Sequence, residues 1–328
     1  MWPIAPRSLR LELCSGPAAP PAGSCNRQRA EPLPYRSQIR PQFILNGLLQ
    51  TLKILLANDD GIHAPGLLAM RKALAKLGDV LVVAPATEQS GVGHSITYLS
   101  PLTCKEIFDG ETFRGWAVEG SPADCVKLGV TELAGGEVDL IVSGINGGLN
   151  AGINVLYSGT VAAAIEGAFF RIPSIAVSLE FDPHADFEAA AELAVDIIRQ
   201  ILKHQEEARE LYNINIPTAA TRAFRDGKTP EVHCVPMGVE RYGEHYIKRQ
   251  DPKGRNYYWS TNDPPPKPTD HETDLNALFA GYITVTPLQF DMTKLGLLGR
   301  MNQWGLTLVK QVAVEPNSPS KTGIRSPL

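Results

Sequence analysis

Ile54-Leu55-Leu56-Ala57-Asn58-Asp59-Asp60-Gly61 is a short apolar run that ends abruptly in two carboxylates and a glycine. The run is too short for a helix and lacks polar alternation, so it reads as a strand buried on both faces. In open α/β sheets ligands sit at the carboxyl ends of such strands. Asp59 and Asp60 therefore fall where chemistry is done. Adjacent carboxylates repel unless a cation or a proton lies between them, and a hard divalent ion accepts oxygen ligands from one or two carboxylates. The same residues also suit a plain turn, with an Asp capping the next helix. By themselves they leave both readings open.

Working outward, the pattern repeats. Helical spacing runs from Pro65 to Leu77, with Gly78 as its stop. Val80–Ala84 is a second buried strand, followed by a polar loop, Pro85–Ser95. Ser121-Pro122 reads as an N-cap with proline at the first helical position, opening a helix to about Leu133. Asp139–Ser143 is a strand running into a Gly/Asn loop, Gly144–Asn154, and Ser158-Gly159-Thr160 opens an Ala-rich helix over Val161–Phe170. Ile175–Ser178 is a strand, Phe187–Leu202 a strongly periodic helix, and Ile214–Pro217 a short strand. Strands alternating with helices at this spacing predict a parallel sheet with right-handed crossovers, hence an α/β, doubly wound, Rossmann-like fold. No G-x-G-x-x-G follows the first strand, so a dinucleotide is not indicated.

The flanks differ in texture. Residues 1–51 are rich in Pro, Ser, Gly and Arg and read as a disordered extension, although an Arg-rich, acid-poor leader also fits a transit peptide. The α/β core is expected over 52–235. Residues 236–293 read as an arm or hairpin plus one last strand, Gly281–Pro287, and 294–328 as a tail. Within the arm, 240–272 is polar, aromatic and Pro-rich, which is not the texture of a βα unit.

Composition bounds the function. The apolar fraction of 43% supports a real core, and a net charge of -4 argues against a nucleic-acid polymer or a membrane surface as the main partner. Five scattered cysteines with no C-x-x-C indicate a reducing compartment and no zinc site. No stretch has the length of a transmembrane helix or of a secretory core, so a cytoplasmic location is expected.

Four loops leave the carboxyl ends of predicted strands, and all carry oxygen or amide groups: Asn58, Asp59 and Asp60; Ser90, Gly91, Gly93, His94 and Ser95; Ser143, Gly144 and Asn146; and Ser158-Gly159-Thr160. Two carboxylates, a hydroxyl and a carboxamide form a hard shell suited to Mg²⁺ or Mn²⁺. A Ser/Gly/Thr helix start donates N–H groups to phosphate. Together they are the equipment for phosphate-ester hydrolysis. His94 is placed to hydrogen-bond the backbone or to donate to the phosphate or leaving group. His63 reads as a bystander. Lys127 reads as part of a solvated face, and Tyr257, Tyr258 and Trp259 as packing for the arm.

The ordered set of motifs resembles the SurE family of survival-protein nucleotidases. It comprises Asn58–Gly66, Pro85–Ser95, Gly120–Lys127, Val142–Gly148 and Tyr157–Val161, then Asp251–Trp259, Thr273-Asp274 and Val285–Leu288. The likeness covers roughly Leu52 to Thr293 and does not include the N-terminal extension or the C-terminal tail. It implies a metal-dependent phosphomonoesterase acting on nucleoside 5′- or 3′-monophosphates, with some activity on short polyphosphate. It places the ligands of one divalent metal per subunit on Asp59, Asp60, Ser90 and Asn146, and it implies a homodimer or homotetramer joined through the C-terminal arm. Asn58 and His94 join Asp59 and Asp60 as candidate catalytic residues; Gly91, Ser95, Ser158, Gly159 and Thr160 are candidate phosphate contacts. A metal- and nucleotide-binding regulator without turnover would use the same loops and is the alternative. The aspartyl-phosphate phosphatases require D-x-D where this chain has adjacent aspartates. A receiver module requires an Asp where Asp139–Ser143 ends in Ser.

Overall fold

In the computed structural model, which describes residues 51–205, 210–240, 243, 245–261 and 269–307, the opening apolar run is strand β1 (Leu52–Ala57). Ile54 and Leu56 point into the core on one face of the sheet, and Leu55 and Ala57 into a separate core on the other. That two-residue alternation with apolar groups on both sides is why the run carries no polar position. Fully burying each of its leucines stabilises the fold by about 1.5–3 kcal/mol relative to exposure.

The further strands are β2 (Gly78–Pro85), β3 (Cys104–Asp109), β4 (Thr112–Val118), β5 (Leu140–Gly147), β6 (Ser174–Leu179), β7 (Leu211–Ile216), β8 (Val232–Cys234), β9 (Tyr246–Gln250), β10 (Asn256–Ser260) and β11 (Ile283–Leu288). The helices are α1 (Pro65–Leu74), α2 (Pro122–Leu128), α3 (Gly159–Phe169), α4 (Phe187–His204), α5 (Thr218–Arg225), α6 (Asp274–Phe279) and α7 (Leu295–Met301). Nine strands form one sheet in the order β3-β4-β2-β1-β5-β6-β7-β11-β8, and β9 and β10 form a separate antiparallel hairpin. The run from β4 to β7 is parallel, with α1 and α4 packed together on one face and α2 and α3 on the other. The chain goes from β1 to β2 on one side and later returns to β5 on the other. The order therefore reverses between β1 and β5, where such sheets form their ligand crevice.

Several expectations are corrected. Gly78 does not end α1, which stops at Leu74; it opens β2, where a Cβ would lie 2.0 Å from the Leu52 carbonyl oxygen across the β1–β2 pair. The predicted Ser121–Leu133 helix is α-helical only to Leu128 and continues as a π-helical turn over Gly129–Leu133. β5 runs on to Gly147, past an irregularity between Ser143 and Asn146, so its Gly/Asn residues are strand where a loop was expected. The β3–β4 hairpin, α5 and α6 were not anticipated. β3 and β4 lie at the edge of the sheet and are mostly exposed or half-buried, so their apolar signal is weak. Part of the expected tail is α7, which buries none of its residues. β11 lies between β7, with which it pairs antiparallel, and β8, with which it pairs parallel, so the short β8 is the edge strand. The arm does contain a hairpin, but Tyr257, Tyr258 and Trp259 are exposed on it. The extension expected over 1–51 (but for residue 51) and the tail beyond 307 lie outside the described residues.

Candidate active site

Asn58 is fully buried and closes the turn after β1: its Nδ2 donates to the Gly61 carbonyl (3.0 Å) and its Oδ1 accepts the Gly61 amide (3.2 Å). Gly61 takes φ +97°, which a side chain would resist. The turn fixes the direction of the next two side chains. Asp59 is 4% exposed, and its carboxyl is pushed up to about 6. Burial is the main cause; hydrogen bonds from Thr160 oppose it and the neighbouring Asp60 reinforces it. Asp60 is less buried and is also raised, first by burial and then by the charge of Glu88, against a hydrogen bond from the Gly147 amide (3.1 Å). That last bond spans the β1/β5 crevice.

Helix α3 starts against this pair. Ser158 caps it, its Oγ accepting the Val161 amide at 3.1 Å. Thr160 is fully buried and donates its hydroxyl to Asp59 Oδ1. Gly159 lies so close that a Cβ there would be 2.9 Å from Asp59 Cβ and 3.0 Å from Pro122 Cγ. The positive end of the helix dipole and its first-turn amides thus sit at the acidic pair.

The loop after β2 is tied to the same place, with the Gln89 amide donating to the Asp59 carbonyl at 2.8 Å. Ser90 is exposed and donates to Glu88 Oε1 at 2.6 Å. Gly91 and Gly93 both have positive φ, and the Gly93 amide donates to the Tyr157 carbonyl at 3.0 Å, next to the α3 cap. The Ser95 carbonyl accepts the Ser121 hydroxyl at 2.6 Å, which ties the loop to α2 as well. His94 does not reach toward the carboxylates by its Nε2. That atom pairs with Glu166 Oε2 at 2.9 Å, and the ring stacks on Phe169, with ring centroids 5.2 Å apart. Glu166 lies six residues past Thr160, about 9 Å further along the helix axis.

On β5, Asn146 Nδ2 donates to the Gly148 carbonyl at 2.6 Å, so Oδ1 is the atom of that amide that a cation could use. Among the described residues no group of three or more His, Cys, Asp or Glu is placed to hold a metal. A metal here would rest on Asp59 and Asp60 with oxygens from Asn146 and Ser90. The donor set fits a hard cation: its oxygens are carboxylate, amide and hydroxyl, and two adjacent, desolvated carboxyls gain most from one. His63 meets Arg114 Nη1 at 3.0 Å, and Lys127 is exposed on α2.

Two residues escaped the sequence reading. Glu88 adds a third negative charge beside Asp60 and holds Ser90. Glu166 is nearly buried on a helix otherwise lined with small and apolar residues. A lone buried acid in an Ala-rich helix is a readable signal, because such an acid is retained only with a partner. Two surface clefts lie apart from the pair: one of 760 Å³ lined by Tyr212, Leu288 and Phe290 among others, and one of 410 Å³ lined by Arg222 and Arg225 among others. Neither includes Asp59 or Asp60, so chemistry and not volume locates this site.

A doubly wound sheet with an oxygen-only acidic pair at its switch point, facing a helix N-terminus, defines an α/β protein of the Rossmann-like class with its candidate site at the carboxyl ends of the strands. Residues 54–244 match the family model described as Survival protein SurE, and the chain belongs to that family. It is 57% identical over 256 residues to the "5'-nucleotidase SurE" of Rhodopirellula baltica, covering 78% of this chain and 99% of that protein. It is 41% identical over 255 residues to the protein of the same name from Syntrophobacter fumaroxidans, covering 78% of this chain and 100% of that one. The crystal structure of the SurE protein from Aquifex aeolicus superposes with a TM-score of 0.65 at 36% identity, covering 76% of this chain and 98% of that one.

Proposed function

We propose that the Asp59–Asp60 end of the sheet hydrolyses the phosphate ester of nucleoside 5′-monophosphates, giving nucleoside and inorganic phosphate. The chain is a 5′-nucleotidase by its family and by relatives of that name that it covers almost completely. A purely regulatory binding role is not favoured. The residue roles and the metal are our reading. The observation that carries them is a pair of adjacent, desolvated carboxylates at the N-terminus of α3, where a cation and a phosphate each find opposite charge.

Asp59, Asp60, Ser90 and Asn146 would hold one Mg²⁺ or Mn²⁺ per subunit. Such an ion neutralises phosphate oxygens and lowers the pKa of a bound water. Asn58 holds the turn that aims the two carboxylates. Amides at Ser158 and Gly159 and of Gly91 and Ser95 would meet the transferring phosphoryl oxygens and stabilise their charge, while the Thr160 amide is taken by Asp59. Thr160 orients Asp59 through its hydroxyl. His94, paired with Glu166, anchors the loop that carries Ser90 and Gly91.

The β9–β10 hairpin exposes Tyr246, Ile247, Tyr258 and Trp259, and an isolated two-stranded hairpin is marginal in water. A second copy of this chain covering it, in a dimer or tetramer, would supply the missing support. The scattered cysteines with no paired spacing support a reducing compartment, and we place the protein in the cytoplasm; no helix among the described residues is long and apolar enough to cross a membrane.

The test is phosphate release from a panel of 5′- and 3′-monophosphates and short polyphosphate. The protein is stripped of metal, resupplied with Mg²⁺ or Mn²⁺, and run beside Asp60→Asn. Metal-dependent release that the substitution abolishes supports the assignment. Full turnover and tight metal binding by Asp60→Asn would refute it.

A further inference from the structure

Two asparagines interrupt β7, a strand otherwise made for burial. Asparagine is depleted in strands, and a buried amide without partners is costly. Asn213 and Asn215 are both completely buried and, two residues apart, share one face of the sheet. Their common partner is Asn150, in the loop that leaves β5. Asn213 Nδ2 donates to the Asn150 carbonyl at 2.7 Å, and Asn215 Nδ2 donates to the same oxygen at 3.1 Å. The Asn150 amide donates to Asn215 Oδ1 at 2.8 Å, and its side chain donates to Ser178 Oγ at 2.9 Å.

A second anchor holds the loop two residues later. The Gly152 amide donates to Asp274 Oδ2 at 2.8 Å. Asp274 is fully buried, and its other oxygen accepts the amides of Gly238 and Leu275, each at 2.8 Å. Gly152 has φ +55°, and a Cβ there would lie 2.8 Å from Leu275 Cδ1. One carboxylate therefore ties the loop to the chain on both sides of the β9–β10 hairpin.

This loop touches neither Asp59 nor Asp60 at its anchors, but its two ends do. Just before it, the Gly147 amide holds Asp60; just after it, Thr160 holds Asp59. We infer that Asn213, Asn215 and Asp274 are positioning residues of the hydrolytic site, fixing through Asn150 and Gly152 where Gly147 and Thr160 meet the two carboxylates. The inference rests on the reading of Asp59 and Asp60 as the catalytic pair. A misplacement of about 1 Å at such a site costs on the order of 10²-fold in rate. Anchors of this kind therefore have kinetic consequences separate from their effect on stability.

The test compares Asn215→Ala, the gentler Asp274→Asn and a core control, Ile198→Ala in α4. Asp274→Asn keeps the shape, but its amide nitrogen cannot accept an N–H. Kinetics are measured well below each unfolding midpoint, together with the Mg²⁺ or Mn²⁺ concentration for half-maximal rate. Amide hydrogen exchange is read over 144–160, with β1 and α4 as internal references. We expect the two anchor variants to lose about 10–100-fold in kcat/KM or in metal affinity and to exchange faster over 144–160 while β1 and α4 stay as in the wild type. Ile198→Ala should lower the unfolding midpoint and leave kcat/KM unchanged. Anchor variants that unfold earlier yet retain wild-type kcat/KM, metal requirement and exchange would overturn the inference. If Asn215→Ala does not fold, Asp274→Asn decides. If the wild-type protein releases no phosphate from any nucleotide, the nucleotidase reading has failed, and the exchange data decide positioning by themselves: unchanged protection over 144–160 would overturn it.

Discussion

The Thr160 hydroxyl donates a hydrogen bond to Asp59 Oδ1, tying the first turn of α3 to the end of β1 across a long stretch of chain. Both residues are buried, so the bond is shielded from water and bears directly on the Asp59 carboxyl.

Thr160→Val keeps the shape and removes that donor. A buried carboxylate left short of a partner costs about 1–3 kcal/mol in stability. With Asp59 no longer oriented, kcat/KM for nucleotide hydrolysis should fall by about 10–100-fold. Steady-state kinetics beside a thermal melt check both numbers, and unchanged kinetics would separate Thr160 from the site.

Gly159→Ala tests the packing of the helix start. The added methyl would sit 2.9 Å from Asp59 Cβ and 3.0 Å from Pro122 Cγ, neither of them the free end of a flexible chain. Overpacking of this kind costs about 1–3 kcal/mol. The displaced α3 start should lower kcat more than an Ala at Gly296 in α7, where no atom lies within 4 Å of the new Cβ and the backbone is helical.

The raised Asp59 carboxyl makes the metal-free protein pH-dependent in a defined direction. Below its ordinary value of 3.8 the group is protonated in both states and contributes nothing. Between 3.8 and about 6 the folded protein keeps a proton that the unfolded chain has lost. Above that range folding must accommodate a buried charge, so stability falls as pH rises through the window, by up to about 3 kcal/mol from this group. The metal-free protein should therefore gain stability from Asp59 on acidification from neutral pH toward pH 5, and Asp59→Asn should remove that component. Denaturant titrations at several pH values measure the difference.

Metal should reverse this penalty. An ion bound only to the folded state stabilises it by about 2.7 kcal/mol at a hundredfold excess over its Kd. Adding Mg²⁺ or Mn²⁺ to stripped protein at neutral pH should raise the unfolding midpoint, and Asp60→Asn should show little or no rise. An equal rise in the variant would place the ion elsewhere.

The doubly wound architecture was legible because β1, β2, β5 and β6 are apolar runs buried on both faces, and local periodicity records such burial directly. The Asp59–Asp60 position was legible because a strand end followed by acids and glycine is a local pattern. The β3–β4 hairpin was not: β3 is an exposed edge strand and only the second half of β4 is buried, so the apolar signal is weak. Gly78 read as a helix stop because a glycine looks alike at a helix end and beside a crowding carbonyl. The partners of the site residues were hidden as well. Glu166 with His94, Thr160 with Asp59 and Gly147 with Asp60 are contacts between distant parts of the chain.

The sequence by itself determined the class of fold, the strand that carries the acidic pair and the set of loops around it, since each depends on residues within one turn or strand of each other. Only the tertiary structure decided that α3 begins against Asp59 and that Glu166 takes the ring of His94. The same is true of the anchoring of the Asn150 loop by two strand asparagines and by Asp274. Those relationships come from the packing of elements over the sheet, where the burial of polar groups forces each to find a partner that no local pattern names.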